Sequence, residues 1–318
     1  MSKFPAPVLS VVIPLYNEAA SLPHFYATLK PVLAELGVSY ELIFVDDGSI
    51  DNGPAILEDL RAKDSTINIL RLSRNFGKEI AVTAGMHRAR GKAILTLDAD
   101  GQHPVERIPA FIEKWEAGNK VVIGRRSNRH AGFVKRVGTR LFYSVIRRMT
   151  GVRIDPDLTD FRLVDHEVQV EFNKLTEHGR ITRGLIDWLG YKRAIVMYTE
   201  RPRLAGTSPY SLRKLTKLAI DSTISLSISP LYIASYIGVI ILPIATLMGL
   251  GMVADWAFGD PLGLHAKGSA YLIVLMLWLV GILLISQGII GLYLSHIHTE
   301  TQNRPLYVVD EEGSKGWS

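Results

Sequence analysis

Cysteine is absent from the 318-residue chain, which excludes disulfides, thiolate metal ligands and a cysteine nucleophile. Acidic residues are absent from one long stretch: Arg125 to Arg153 carries Arg125, Arg126, Arg129, Lys135, Arg136, Arg140, Arg147, Arg148 and Arg153 with no Asp or Glu among them. The formal net charge of +5 is modest, but this clustering calls for an anionic partner, either nucleic acid or a membrane surface. Charge of either sign is missing from Pro230 to Ala254, and from Gly268 to Thr299 apart from His296 and His298. About 20 apolar helical residues cross the roughly 30 Å hydrocarbon core of a bilayer, so each run is long enough to span. The spans favour a membrane over nucleic acid as the partner of the basic stretch. No basic segment followed by an apolar run opens the chain, which reads against a cleavable signal peptide.

The first third alternates strand and helix signals. Val8 to Leu15 is an apolar run rich in β-branched residues, closed by Tyr16-Asn17-Glu18. A helix follows from about Ser21 and stops at Gly37, then a strand from Glu41 to Val45 meets the turn residues Asp46-Asp47-Gly48-Ser49. Asp51 is placed to cap a helix reaching about Lys63, Ile67 to Leu72 reads as a strand, and Glu79 to Arg90 as a helix ended by Gly91. Ala93 to Leu97 is a fourth strand, running into Asp98-Ala99-Asp100. This alternation predicts an α/β fold, a mostly parallel Rossmann-like sheet covered by helices on both faces. Ligands of such sheets bind beyond the carboxyl ends of strands. Tyr16-Asn17-Glu18, Asp46-Asp47 and Asp98-Ala99-Asp100 all fall there.

The predicted organisation is a catalytic domain over 1–228, a two-helix transmembrane domain over 229–296 and a C-terminal tail over 297–318. Two stretches, 133–149 and 211–225, interleave apolar and basic residues as amphipathic helices lying in the headgroup layer would; ordinary surface helices are the other reading. The connector 255–267 holds Lys267 as its only Lys or Arg, whereas Arg201, Arg203, Arg213, Lys214, Lys217 and Arg304 flank the spans. That bias puts both termini and the catalytic domain in the cytoplasm, the connector outside and the protein in the inner (plasma) membrane. Gly281 and Gly288 fall on one face of the second span, where small residues allow close helix contact.

Asp98-Ala99-Asp100 is an acidic pair able to hold Mg²⁺ or Mn²⁺ shared with substrate phosphates. Alone it would as readily be loop capping; its neighbours give it meaning. Val11-Val12-Ile13-Pro14-Leu15-Tyr16-Asn17-Glu18, Val45-Asp46-Asp47-Gly48-Ser49 and Leu97-Asp98-Ala99-Asp100-Gly101-Gln102-His103-Pro104 resemble the nucleotide and metal motifs of family 2 glycosyltransferases of the GT-A fold. Asn75-Phe76-Gly77-Lys78, Asp157 to Leu163, Arg203 to Ser211, the two spans and Arg304-Pro305-Leu306-Tyr307 narrow the resemblance to the polyprenyl-phosphate subgroup. That subgroup includes dolichyl-phosphate mannose synthase and bactoprenyl-phosphate glucosyltransferases. Pro209 stands where the family often has Lys, and Thr159 where bacterial members often have Gly.

The resemblance implies a hexose, glucose by preference, moved with inversion from a UDP-sugar to polyprenyl phosphate. It also implies a homo-oligomer, with a tetramer as one option. It places Pro14, Tyr16, Glu18, Asp46, Asp47, Lys78 and Asp98 at the donor nucleotide, where carboxylates accept from ring N–H groups and sugar hydroxyls. It assigns the metal to Asp100 and Gln102 with Asp98 beside them, and phosphate or acceptor contacts to Arg162, Arg203 and Ser208. Arg125 and Arg126 are weaker acceptor candidates, attraction to anionic lipid being the other explanation. Asp157 and Asp160 are the base candidates, Asp157 preferred. A phosphate monoester is already largely ionised at neutral pH, its second pKa being about 6, so orienting the acceptor loop is the other role open to either acid. A processive polysaccharide synthase is disfavoured by the small number of spans and the lack of Gln-x-x-Arg-Trp. A silent scaffold or nucleotide-sugar sensor is disfavoured by the intact Asp98, Asp100, Gln102 and Arg162.

Overall fold

The structure, a computed structural model, describes residues 7–127, 158–199 and 268–317, together with the isolated positions Leu247 and Phe258. The stretches 133–149 and 211–225, the first apolar run apart from Leu247, the connector 255–267 apart from Phe258, and Asp157, Arg203 and Ser208 lie outside the described residues. Residues 7–127, 158–199 and 304–317 belong to one compact unit, and 268–303 to a second. The tail anticipated from the sequence is therefore divided, its last part belonging to the first unit.

In the first unit, β1 (Leu9–Leu15), β2 (Tyr40–Asp46), β3 (Ile67–Arg71), β4 (Ala93–Thr96), β5 (Val121–Arg126), β6 (Leu158–Asp165) and β7 (Arg193–Tyr198) form one sheet in the order β3-β2-β1-β4-β6-β5-β7. Pairing is parallel between β1 and β2, β2 and β3, β1 and β4, and β5 and β7, and antiparallel on both sides of β6. The chain builds outward from β1 to β3 and then returns to β4 on the other side of β1. The strand order thus reverses between β1 and β4, which opens a crevice at their carboxyl ends.

All seven residues of β1 are buried, as expected of a parallel strand covered on both faces. Leu9, Val11, Ile13 and Leu15 face one core with Phe25, Leu29 and Phe111; Val12 faces the other with Ile43, Ala81, Met86 and Phe172. Helix α1 (Leu22–Glu35) buries Leu22, Phe25, Leu29 and Leu33 along one stripe, each side chain contributing about 1.5–3 kcal/mol. Gly37, with φ of +66°, lets the chain turn back after it. Pro14 is tolerated in an inner strand because β1–β4 pairing stops at Val12. Val12 O accepts from Leu97 N while Leu15 O accepts from Asp47 N, so the Pro14 backbone faces the side where the ladder has ended.

Helices α2 (Gly53–Lys63), α3 (Lys78–Arg88), α4 (Ile108–Glu116), α5 (His166–Asn173) and α6 (Thr182–Trp188) complete the described α-helices of this unit. Asp51 does not cap α2 through its N-cap position, which is Asn52; instead Asp51 Oδ1 accepts from Gly53 N and Oδ2 from Ala19 N. At the amino ends of the strands, buried Glu41 accepts from Ser10 Oγ (2.6 Å) and from Arg90 NH2 (2.7 Å). That network lies at the opposite end of the sheet from the strand-end acids.

The second unit contains α7 (Gly268–Thr301), whose backbone runs for 34 residues, and several of whose side chains are not described. Among the described residues no helix is long and apolar enough to cross a membrane. The sequence of α7 nevertheless carries no Asp, Glu, Lys or Arg before Glu300.

Candidate active site

Three loops meet beyond β1, β2 and β4. Asn17, at φ of +56°, donates its N–H to Ser49 Oγ (2.9 Å), and its Oδ1 accepts from Ile50 N (2.9 Å), lacing the first loop to the second. Tyr16 is 43% exposed at the rim. Glu18 accepts from Ser21 Oγ at 2.6 Å, which ties it to the start of α1. Pro14 lies beneath them within β1.

Asp46 and Asp47 are both buried, yet they work differently. Asp46 Oδ1 accepts from Ser49 N (2.9 Å), whereas its buried Oδ2 has no hydrogen bond and faces Arg71 Nε at 3.4 Å. Both oxygens of Asp47 are engaged, by Phe76 N (2.7 Å) and Gly77 N (2.8 Å). Burial raises the Asp47 carboxyl above its usual range, and the two amides oppose that shift. Gly48 has φ of +70°, and a Cβ there would lie 2.6 Å from the Arg74 carbonyl carbon, so only glycine lets the 74–77 loop come this close.

That loop delivers Lys78, the first residue of α3, to the centre of the site. Lys78 Nζ donates to Asp98 (2.8 Å) and to Asp160 (2.9 Å). Antiparallel pairing of β6 with β4, Thr96 opposite Arg162, is what sets Asp160 beside the end of β4. Burial works against charge on Lys78, but Asp98 and Asp160 outweigh it and hold the ammonium well above its usual pKa. Burial likewise opposes ionisation of Asp160; Lys78, Arg183 and Arg162 overcome it and keep that carboxyl far below the carboxylate range.

Asp98 is fixed from behind by a residue to which sequence reasoning gave no role. His103 is 5% exposed, its Nδ1 accepts from Asp98 N (3.1 Å), and its ring stacks on Phe161 at 5.1 Å between centroids. Burial lowers its pKa, which keeps the imidazole neutral with Nδ1 as an acceptor. Its place inside the Asp98 to Pro104 motif was the available signal. Asp100 Oδ1 accepts from Gln102 N (3.0 Å) around Gly101, at φ of +75°.

Arg162, expected at a phosphate, is 2% exposed. Its guanidinium donates to Asp187 Oδ1 (3.1 Å), Thr159 O (3.1 Å) and Arg183 O (3.3 Å), so in this arrangement it pins β6 to α6. Arg125 and Arg126 end β5 half-buried, on the rim shared with Leu158 and Asp160.

A glycosyl transferase family 2 profile matches residues 10–168. The chain belongs to glycosyltransferase family 2. Within the family, an uncharacterized glycosyltransferase of Synechocystis sp. is 40% identical over 305 residues, covering 95% of each chain. The bactoprenol glucosyl transferase of Shigella phage SfV is 35% identical over 309 residues, 96% of this chain and 99% of that protein. Among solved structures, glucosyl-3-phosphoglycerate synthase of Mycobacterium tuberculosis, in complex with Mn²⁺, UDP and glucosyl-3-phosphoglycerate, matches 69% of this chain and 78% of that one. The TM-score is 0.48 and the identity 19%.

As a family 2 glycosyltransferase the protein places its strand-end acids at the crevice where α/β sheets bind ligands. Among the described residues there is no group of three His, Cys, Asp or Glu that would make a self-sufficient metal site. The carboxylate of Asp100 and the amide of Gln102 are hard oxygen donors of the type Mg²⁺ and Mn²⁺ take, provided substrate phosphates complete the set. Asp98 is bonded to Lys78.

Proposed function

We propose that this glycosyltransferase moves a hexose, glucose, from a UDP-sugar to a polyprenyl phosphate with inversion at the anomeric carbon. The observation that carries the reading is the 35% identity to phage bactoprenol glucosyl transferase over nearly the whole of both chains. The geometry agrees with it. Asp46 offers a buried oxygen without a hydrogen bond, suited to a nucleobase N–H. Tyr16 and Glu18 lie on the loop that follows β1, beside the end of β2 where Asp46 sits, and Asp100 with Gln102 would hold Mg²⁺ or Mn²⁺ on the donor diphosphate. The bound cation supplies Lewis-acid stabilisation of the leaving diphosphate.

The acceptor phosphate arrives ionised, so the residues around Asp160 need not take a proton from it. Lys78, between Asp98 and Asp160, fixes both carboxylates where donor and acceptor approach. Direct attack by the phosphate oxygen in one displacement inverts the anomeric centre, the departing group being UDP. Asp157, Arg203, Ser208, Arg125 and Arg126 are the proposed acceptor-side groups.

The membrane part of the reading rests on α7. A helix of 34 residues is about 50 Å long, more than the roughly 30 Å hydrocarbon core. Leu272, Met276, Trp278, Leu279 and Leu283 are exposed along it, as lipid-facing side chains would be. We assign the catalytic unit and both termini to the cytoplasmic face of the inner membrane.

Full-length protein in detergent, given UDP-glucose, undecaprenyl phosphate and Mg²⁺ or Mn²⁺, should yield a lipid one hexose heavier by mass spectrometry. A lipid product formed solely from another nucleotide sugar would replace glucose. Hydrolysis of nucleotide sugars with no lipid product would sink the polyprenyl-phosphate acceptor.

A further inference from the structure

Arg71 ends β3, the edge strand, in register with Asp46 at the end of β2. An edge strand exposes unpaired amides and carbonyls, but here the C-terminal segment covers them. Ile69 and Lys315 exchange two backbone hydrogen bonds of 2.9 Å, and Ser73 N donates to Val308 O at 2.9 Å. Trp317 Nε1 donates to Ile69 O (2.8 Å), and Tyr307, Val309 and Trp317 pack on the core.

The contacts are densest on Arg71 itself. Its carbonyl accepts from Asp310 N (2.8 Å) and its N–H donates to Ser314 Oγ (3.0 Å). The turn that makes both contacts is closed by Gly313 N donating to Asp310 Oδ1 (3.2 Å) and Ser314 Oγ donating to Asp310 O (2.7 Å). A Cβ on Gly313 would lie 2.5 Å from Arg71 Cδ, so the turn passes directly over the arginine stem and glycine alone leaves room for it. Arg71 Nε consequently sits 3.4 Å from Asp46 Oδ2 and 3.7 Å from Asp310 Oδ2. Asp46 Oδ2 is the buried atom without a hydrogen bond, and Arg71 is the cation facing it.

We propose that the 310–314 turn of the C-terminal segment sets affinity for the donor nucleotide, by holding the Arg71 guanidinium against Asp46. This rests on the reading of Asp46 as a contact of the nucleobase. Arg71 is 34% exposed and would swing into water without the turn, which gains it hydration and loses Asp46 its counter-charge. The Asp46 carboxylate would then lose the group that orients it, and the nucleobase N–H would meet a misplaced acceptor. Asp310 and Gly313 are positioning residues in this scheme, acting through Arg71.

The test uses full-length protein in detergent, with dissociation constants for UDP and GDP measured by calorimetry and KM determined for both substrates. Gly313→Ala and Asp310→Asn should weaken binding of the preferred nucleotide, and raise donor KM, by about 3–10-fold, on the scale of one ordinary hydrogen bond. The acceptor KM and kcat should stay close to wild type. Val308→Ser, on the same segment but away from Arg71, should bind as wild type. The double variant Asp46→Asn with Asp310→Asn should be no weaker than Asp46→Asn alone. If Asp46→Asn leaves nucleotide affinity unchanged, the nucleobase assignment fails and this inference with it. If Asp46→Asn weakens binding while Gly313→Ala and Asp310→Asn do not, only the inference fails. Equal losses in Val308→Ser, or losses in kcat that track a lowered Tm, would reduce the turn to general structural support and overturn it.

Discussion

At the residue scale, the site divides into groups that face substrates and groups that hold them. Lys78 is tied to two carboxylates, Asp47 to the loop that delivers Lys78, and His103 to the backbone of Asp98. Asp100 is expected at the metal, so Asp100→Asn should abolish transfer while the protein still folds. Activity of Asp100→Asn that survives at wild-type level in EDTA would refute the metal assignment. Asp160 is a poor proton acceptor, because Lys78, Arg183 and Arg162 override its burial and depress its pKa. Its loss should therefore disturb placement instead of proton transfer. Asp160→Asn is expected to lower kcat/KM by about 10²-fold through misplacement, with a deficit that is flat above the phosphate pKa of about 6. The same profile is expected of Asp157→Asn. A deficit in kcat that shrinks steadily as pH rises, with lipid KM unchanged, would instead mark the residue concerned as a general base.

At the element scale, Asp64 shows how helices are tied to the sheet without touching chemistry. It follows α2 and accepts from Tyr26 (2.7 Å) and Lys30 (2.5 Å) of α1 and from Thr66 N (3.0 Å) ahead of β3. Burial would raise its carboxyl, but these donors, Lys30 first, bring it down to about 2. A folded pKa below the unfolded value of about 3.9 stabilises the fold above that pH, and the contribution fades as pH falls toward 2. The shift corresponds to roughly 2–3 kcal/mol. Asp64→Asn should lower Tm at pH 7, and the gap to wild type should narrow as pH drops from 5 to 3. A constant gap across that range would show that the carboxylate charge contributes nothing.

At the scale of the whole molecule, the chain leaves the catalytic unit and comes back to it. Residues 304–317, which follow α7, lie against β3. If α7 and the first apolar run both span the membrane, an even number of crossings is what allows this return, and the connector 255–267 must face the opposite side. In this cysteine-free protein, Gly263→Cys should react with an impermeant thiol reagent in intact cells. Labelling that needs lysis would reverse the assigned orientation.

What the sequence determined by itself was local. Runs such as Leu9 to Leu15 bury all their side chains, so they announce strands; turn residues sit at strand ends, so the sequence alone places Asp46, Asp98 and Asp100 at the crevice. The alternation of strands and helices implied the parallel half of the sheet. What only the tertiary structure decided was pairing between residues far apart in the chain. Antiparallel β6 brings Asp160 to Asp98, and Lys78 bridges the two, reaching Asp160 across 82 residues. Arg162 turns out to serve Asp187 within the fold, and the C-terminal segment reaches Arg71 across 243 residues. Periodicity reports which face of an element is buried; it carries no information on which distant element covers it. Side-chain type says that a carboxylate wants a donor, and the fold alone chooses which one it gets.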